Sequence, residues 1–429
     1  MASNTTAQPV KNSGINPIII IGILFFIFGF ITWLNSVLIP YLKIACQLTN
    51  FESYLVAFAF YIAYFIMGPP SSFVLKALGF KKGMAAGLVV IGVGALIFIP
   101  AALTRTYGIF LAGLFIQGTG LTILQSASNP YITILGPAES AAKRISIMGI
   151  FNKVAGTIAP IILGSIALKD ADQLTKRLVH MNPAQKTAEL NALASRVILP
   201  YIIIVVALVL LSIYIYFSSL PEINEEKDDT TAAASRDAKT SIFQFPHLLL
   251  GVVALFLYVG AEVLAGDSII SYGASQKIAL STAKFFTSCT LVSMIVGYII
   301  GIVAIPKYIT QQKALVVSTI LGLILTGGAV STTGYMSVMF IALLGLANSL
   351  MWPAIWPLAL AGLGKFTKVG SSLLVMGIAG GALIPLLYGF FVDHSSNRIA
   401  YLILLPIYAF ILFFATIGHN LGLSDKRKA

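Results

Sequence analysis

An apolar stretch, GLFIQGTGLTILQSASNPYITILG at residues 113–136, is interrupted by the amides Gln117, Gln125 and Asn129 and by a proline. Gln125 and Asn129 are four residues apart, so on a helix they share one face. A buried amide without a partner is costly in hydrocarbon, so both must face protein or water. Helix–helix contact is one role, favoured for the smaller hydroxyl residues between them, and hydrogen bonding to a hydroxylated ligand is the other. Pro130 removes a helical hydrogen bond and predicts a bend below the amides.

The three tryptophans of the chain lie well inside apolar segments. Trp352 and Trp356 are one helical turn apart, and a proline follows each of them. An aromatic belt at the membrane surface is the alternative, but their depth argues against it. Aromatic faces suit the C–H faces of a sugar ring, whereas amides suit its hydroxyls, so the pattern favours a carbohydrate site. The other residues that we include in this predicted site are Trp33, Asn35, Asn152 and Asn348.

Three ionisable residues lie at or near membrane depth, namely Lys153, Glu262 and Asp267. Such residues are costly in a bilayer and are therefore candidates for function, and a structural ion pair is the alternative. We predict that Glu262 binds a coupling ion, with Asp267 as the second candidate. The two carboxylates would converge only if the helix unwinds between Gly260 and Gly266.

The elements that position these residues are transmembrane helices. Of the 429 residues, 58% are hydrophobic and 10% are charged, whereas a soluble domain carries about 25% charged residues. Long runs nearly free of charge predict an all-α polytopic membrane protein rather than a β-barrel. The twelve predicted spans are 17–41, 53–75, 83–104, 108–134, 145–168, 197–218, 247–273, 284–305, 313–332, 336–362, 371–391 and 400–417.

The distribution of charge predicts both orientation and domain organisation. The net charge of +12 is spread over many short loops, which indicates a lipid bilayer rather than nucleic acid as the partner. More Lys and Arg lie on one side, which predicts that both termini are cytoplasmic. The polar segment PEINEEKDDTTAAASRDAKTS follows span six. We therefore predict an N-terminal half at 1–220, a cytoplasmic linker at 221–246 and a C-terminal half at 247–429.

The two halves contain an internal repeat. LFFIFGFITWLNSVLIPY at 24–41 aligns without a gap with LFLYVGAEVLAGDSIISY at 255–272. The Met-Gly-Ile of 148–150 recurs at 376–378, at a similar separation along the chain. Concordant pairings in the same order predict two pseudo-symmetric six-helix bundles. Twelve spans in two parallel halves are the layout of the major facilitator fold, in which substrates bind near the midplane between the halves.

Several long motifs add a resemblance to a known family. FFIFGFITWLNSVLIPYLK, FAFYIAYFIMGPPSSFVLKALGFKKG, GTGLTILQSASNPYITILGP, AAKRISIMGIFNKVAG and MWPAIWPLAL resemble the fucose–proton symporter and glucose/galactose transporter branch of the major facilitator superfamily. The resemblance covers nearly the whole chain. It implies ion-coupled uptake of a hexose of the glucose, galactose or mannose type, or of an N-acetylhexosamine, through a bacterial inner membrane.

One departure from this branch concerns ion coupling. The fucose symporters carry an Asp after the Asn of span one and a Glu in span four, and here the matching positions are Ser36 and Gln125. Neither residue titrates, so the resemblance does not extend to the fucose-type proton relay. Na⁺ and H⁺ both remain open as the coupling ion, and no tightly bound cofactor is expected.

Alternatives to an ion-coupled importer remain open from sequence. They are an uncoupled facilitator, an exporter of the same fold and a non-transporting sugar sensor, although the linker and tail are short for a sensor. No nucleophile–base set, metal-ligand spacing or phosphate loop is present in the sequence, so we expect neither an enzyme nor a metal site. We expect the chain to function as a monomer.

Overall fold

The computed structural model describes residues 17–134, 141–218, 220, 241–305, 307–363 and 366–423. Every regular element in these ranges is helical. The nine helices before residue 220 are α1 (Pro17–Trp33), α2 (Asn35–Ala45), α3 (Asn50–Leu96), α4 (Phe98–Thr104), α5 (Tyr107–Ile134), α6 (Ala141–Ala167), α7 (Ala171–Leu178), α8 (Pro183–Ser195) and α9 (Ile198–Phe217).

The helices after residue 241 form the second set. They are α10 (Pro246–Asp267), α11 (Ile269–Ser275), α12 (Leu280–Ala283), α13 (Phe286–Ala304), α14 (Gln311–Ser331), α15 (Gly334–Asn348), α16 (Met351–Leu360), α17 (Thr367–Met376), α18 (Gly380–His394), α19 (Asn397–Ala400) and α20 (Leu404–Thr416). Most of the predicted linker, residues 221–240, lies outside the described residues, so the boundaries of the two halves stay a prediction.

Eleven helical segments in the described ranges are long and apolar enough to cross a bilayer. One of them, Asn50–Thr104, has 55 residues. A helix of that length would extend about 80 Å, whereas the hydrocarbon core is about 30 Å thick. Gly79 divides this segment with φ 78° and ψ 171°, a conformation that glycine adopts at little cost. The segment therefore crosses twice, and the prediction of twelve spans is confirmed.

Several spans are interrupted next to the polar residues that the sequence singled out. Span one breaks at Leu34, between Trp33 and Asn35. Span seven breaks at Ser268, directly after Asp267, and span ten breaks after Asn348. The chain keeps right-handed helical dihedrals at Leu34 and at Ser268, so these breaks are slight. Nearby hydroxyls donate to backbone carbonyls there, as Ser36 does to Trp33 and Thr287 does to Gly266.

The two halves pack against each other through two pairs of helices. Within the first half, α3 packs on α5 and α9, and α1 packs on α6. Between the halves, α3 packs on α18, and α6 packs on α13. The first pair joins span two to span eleven, and the second pair joins span five to span eight. The internal repeat exchanges the two pairs, because span two corresponds to span eight and span five corresponds to span eleven. The interface is therefore pseudo-symmetric, as the repeat predicts.

One end of this interface, which we name the Asp393 end, is closed by two carboxylates that cap helices of the opposite half. Asp393 of α18 accepts hydrogen bonds from the backbone N–H of Asn50 at 3.1 Å and of Phe51 at 2.7 Å. Asp172 of α7 accepts hydrogen bonds from the backbone N–H of Leu280 at 2.8 Å and of Ser281 at 3.1 Å. Each half thus supplies one carboxylate and one helix N-terminus.

Candidate functional site

An ion pair joins the two halves inside the bundle. Lys153 of α6 donates from Nζ to Oε1 of Glu262 on α10 at 2.5 Å, and both side chains are nearly buried. The hydroxyl of Tyr258, one turn before Glu262, donates to the other carboxylate oxygen. The Lys153 ammonium also lies 4.8 Å from the ring centroid of Trp33. The charges of Lys153 and Glu262 therefore compensate each other, which is the structural ion pair that the sequence left open.

Trp33 lies between helices of both halves, and two glycines make room for its ring. A Cβ on Gly156 of α6 would lie 2.3 Å from Cδ1 of Trp33, and a Cβ on Gly266 of α10 would lie 2.1 Å from Cζ3. Helix α10 is continuous to Asp267, so the unwinding between Gly260 and Gly266 that would bring Glu262 and Asp267 together does not occur. Gly266 is needed here for close packing rather than for an unusual backbone conformation.

The other two tryptophans form a stacked pair next to the ion pair. The rings of Trp352 and Trp356 are 5.3 Å apart at an interplanar angle of 25°. Trp352 is also 6.4 Å from the ring of Tyr258, which donates to Glu262. Both tryptophans are half-buried. A partly accessible aromatic face beside a charged pair can bind a ligand that has both apolar faces and hydroxyl groups.

The amides of α5 form a second polar group. Gln125 donates from Nε2 to the hydroxyl of Tyr64 on α3 at 2.8 Å, and it is half-buried, as is Asn129. Tyr64 stacks on Tyr61, with ring centroids 6.3 Å apart. Helix α5 is continuous to Ile134, and the side chain of Pro130 lies outside the described residues, so the predicted bend stays a prediction.

The three remaining predicted amides are in different situations. Asn152 donates to the carbonyl of Phe25 at 3.4 Å. The side-chain oxygen of Asn348 accepts from the Tyr408 hydroxyl at 2.9 Å. Asn35 is 1% exposed, and neither atom of its amide has a hydrogen-bond partner in the part of the chain that the structure describes. Of these three amides, Asn35 therefore has the greatest unused hydrogen-bonding capacity.

Asp267 is fully buried at the end of α10. Within the described ranges, neither of its carboxylate oxygens has a hydrogen-bond partner. It lies near enough to Glu262, Tyr54 and Tyr61 to interact with them electrostatically. The Tyr61 hydroxyl also lacks a partner among the described residues, whereas the Tyr54 hydroxyl is close to the Ser268 side chain. Tyr61 is thus close both to the carboxylates of α10 and, through Tyr64, to Gln125.

The sequence reasoning missed the tyrosines that connect the polar groups. Tyr54, Tyr61 and Tyr64 are seven and then three residues apart, a spacing that places them on one face of α3. Tyr258 is four residues before Glu262, which is one helical turn. A search for hydroxyl-bearing aromatics in phase with the ionisable residues would have found all four.

Comparisons with known proteins agree with this architecture. The model of the Major Facilitator Superfamily matches residues 21–366. The chain is 36% identical over 403 residues to a glucose/galactose transporter of Brucella abortus, with 92% of each chain covered. It is 31% identical over 409 residues to the L-fucose-proton symporter of Escherichia coli, with 94% of this chain and 93% of the relative covered.

A solved structure gives the same result. The crystal structure of the E. coli fucose:proton symporter superposes with a TM-score of 0.69 at 29% identity, covering 93% of this chain and 97% of that one. The relatives are membrane transporters by name, so the expectation that the chain is not an enzyme is confirmed. The chain is a multi-pass membrane protein that belongs to the Major Facilitator Superfamily.

Proposed function

We propose that this protein takes up a monosaccharide by ion-coupled alternating access. The carrying observation is the stacked Trp352–Trp356 pair, which lies beside Tyr258 and the Lys153–Glu262 ion pair at the junction of the halves. The names of the relatives support a hexose of the glucose or galactose type. An N-acetylhexosamine is the other substrate class that the family resemblance implies.

The tryptophans and the amides have separate roles in this proposal. A sugar ring stacks on the accessible face of Trp352 or Trp356, where C–H groups meet the aromatic surface. Gln125 and Asn129 bind ring hydroxyls, which both donate and accept hydrogen bonds. Gln125 already donates to Tyr64, so the sugar adds to or replaces an existing hydrogen bond. Loss of either amide therefore weakens sugar binding while the helices stay intact.

The contacts between the halves support one orientation of the transport cycle. With both termini in the cytoplasm, the Asp393 end faces outwards, and the Asp393 and Asp172 contacts close it. Separation of the halves at that end would break both contacts and expose the site to the outside. We place the protein in the inner membrane of a bacterium, acting as a monomer, with Na⁺ or H⁺ as the coupling cation.

Transport by purified protein in liposomes tests the proposal. Uptake of radiolabelled galactose, glucose and N-acetylglucosamine is measured with an inward H⁺ gradient, with an inward Na⁺ gradient and with neither. We expect accumulation of at least one sugar under one of the gradients, and counterflow without any gradient. Protein-free liposomes and the variant Trp352→Ala/Trp356→Ala are the controls. Absence of counterflow for all three sugars, with folded protein present, contradicts the proposal.

One observation favours an uncoupled facilitator as the second candidate. Glu262, which accepts a hydrogen bond from Tyr258 beside Trp352, is already neutralised by Lys153. If Asp267 binds no cation either, the carrier would exchange sugar without concentrating it. Counterflow without accumulation under either gradient would identify this alternative.

A further inference from the structure

The two carboxylates of α10 differ in how their charge is compensated. Glu262 accepts from Lys153 at 2.5 Å and from the Tyr258 hydroxyl. Asp267 is 0% exposed, and its oxygens have no hydrogen-bond partner in the described part of the chain. A charged carboxylate is stable in a membrane protein when it is paired, which describes Glu262 and not Asp267.

The titratable groups around Asp267 also disfavour a negative charge there. Within the described part of the chain, the titratable groups that act on it are Glu262 on its own helix and Tyr54 and Tyr61 on α3, and none of these is a cation. An isolated anion in this position would be strongly destabilised, so a positively charged ligand must neutralise Asp267 in this conformation.

We propose that Asp267, rather than Glu262, is the site of the coupling cation, and that a proton or Na⁺ neutralises it when the Asp393 end is closed. This inference rests on the proposed function. The hydroxyls of Tyr54 and Tyr61, both of which lie near Asp267, supply oxygen ligands for Na⁺ or accept the hydrogen bond of a protonated Asp267.

The site spans both halves, which gives the cation an effect on conformation. Asp267 belongs to α10 of the second half, whereas Tyr54 and Tyr61 belong to α3 of the first half. Tyr54 also packs edge-on against Tyr388 of α18, with ring centroids 5.5 Å apart. Separation of the halves would take the tyrosines away from Asp267. A cation that binds between them therefore favours the state closed at the Asp393 end.

Substitution of Asp267 by asparagine tests this site, because asparagine has the same size and mimics the neutral form. In liposomes, an inward H⁺ or Na⁺ gradient of about tenfold should drive wild-type galactose accumulation of up to about tenfold at one-to-one coupling. Asp267→Asn should keep counterflow but equilibrate to an internal-to-external ratio of about one. The proposal is overturned if Asp267→Asn concentrates galactose as well as the wild type does. If the wild type shows no counterflow, the result contradicts the proposed function instead. The thermal-stability experiment described next then tests cation binding at Asp267 by itself.

Thermal stability of the purified protein measures cation binding without any sugar. For Na⁺, the wild-type Tm should rise when NaCl replaces choline chloride at constant ionic strength. For a proton, the Tm without Na⁺ should fall as the pH is raised from about 6 to about 9. The Tm of Asp267→Asn should not respond to the cation, and it should equal or exceed the Tm of the wild type measured without the cation. The Tm of Glu262→Gln should still respond to the cation. A cation response that persists in Asp267→Asn, or an Asp267→Asn protein less stable than cation-free wild type, refutes the site.

Discussion

The closure of the Asp393 end can be weakened at two related positions. Asp393→Asn and Asp172→Asn keep the size of the side chain but remove the negative charge that faces a helix N-terminus. Each wild-type carboxylate accepts two backbone N–H groups of the opposite half, at distances between 2.7 and 3.1 Å. The substitutions should therefore shift the population towards the state that is open at this end.

The size of the shift follows from the geometry and exposure of the contacts. A charge at an exposed helix N-terminus contributes roughly 0.3–1 kcal/mol, and hydrogen bonds to a charged acceptor are about twice as strong as neutral ones. Asp393 is exposed, so we take about 1 kcal/mol for each contact, which corresponds to about fivefold in the ratio of the two states. The contacts involve separate pairs of helices, so the double variant should shift the ratio by about thirtyfold.

Distances between spin labels at the Asp393 end measure this population. The exposed residues Thr104 and Thr333, one in each half, carry the labels after Cys46 and Cys289 are replaced by serine. The double variant should show a larger fraction of the long distance than the wild type. The difference should shrink at high salt, because exposed charges are screened.

A matched substitution controls for the loss of charge alone. Asp170→Asn removes an exposed carboxylate two residues before Asp172, at a left-handed backbone position that asparagine tolerates. It should leave the distance distribution unchanged. If the double variant Asp172→Asn/Asp393→Asn matches Asp170→Asn in its distances at low salt, the reasoning about helix capping is refuted.

Three other predictions concern the interior of the bundle. Gln125→Ala should weaken sugar binding by about 1–3 kcal/mol, because a buried hydroxyl group of the sugar loses its hydrogen-bond partner. A sugar affinity that is unchanged when measured by calorimetry would contradict this prediction. Trp356→Ala should reduce the change in tryptophan fluorescence caused by saturating sugar, and an unaltered change would mean that Trp356 only packs. Lys153→Met should destabilise the protein by about 3–5 kcal/mol because Glu262 is left charged and buried. Addition of Glu262→Gln should restore part of the lost Tm, and a further decrease in Tm would contradict the ion-pair account.

The sequence by itself determined the fold class and the set of candidate residues. Apolar runs report how long a segment can stay in hydrocarbon, and this property is local, so all twelve spans could be predicted. The cost of burying a polar group is also local, which is why Glu262, Asp267 and Gln125 stood out before any contact was known. The helical period further placed Trp352 and Trp356 on one face, and the structure stacks them.

Only the tertiary structure decided which of these residues meet and which have no partner. Lys153 and Glu262 are 109 positions apart, and their contact depends on how α6 and α10 are rotated against each other. The space for Trp33 beside Gly266 likewise arises from packing between halves, which hydropathy does not contain. Helix rotation is fixed by the sum of many side-chain contacts across the interface. The pairing of Glu262 and the isolation of Asp267 are therefore tertiary properties, although both residues lie on the same helix.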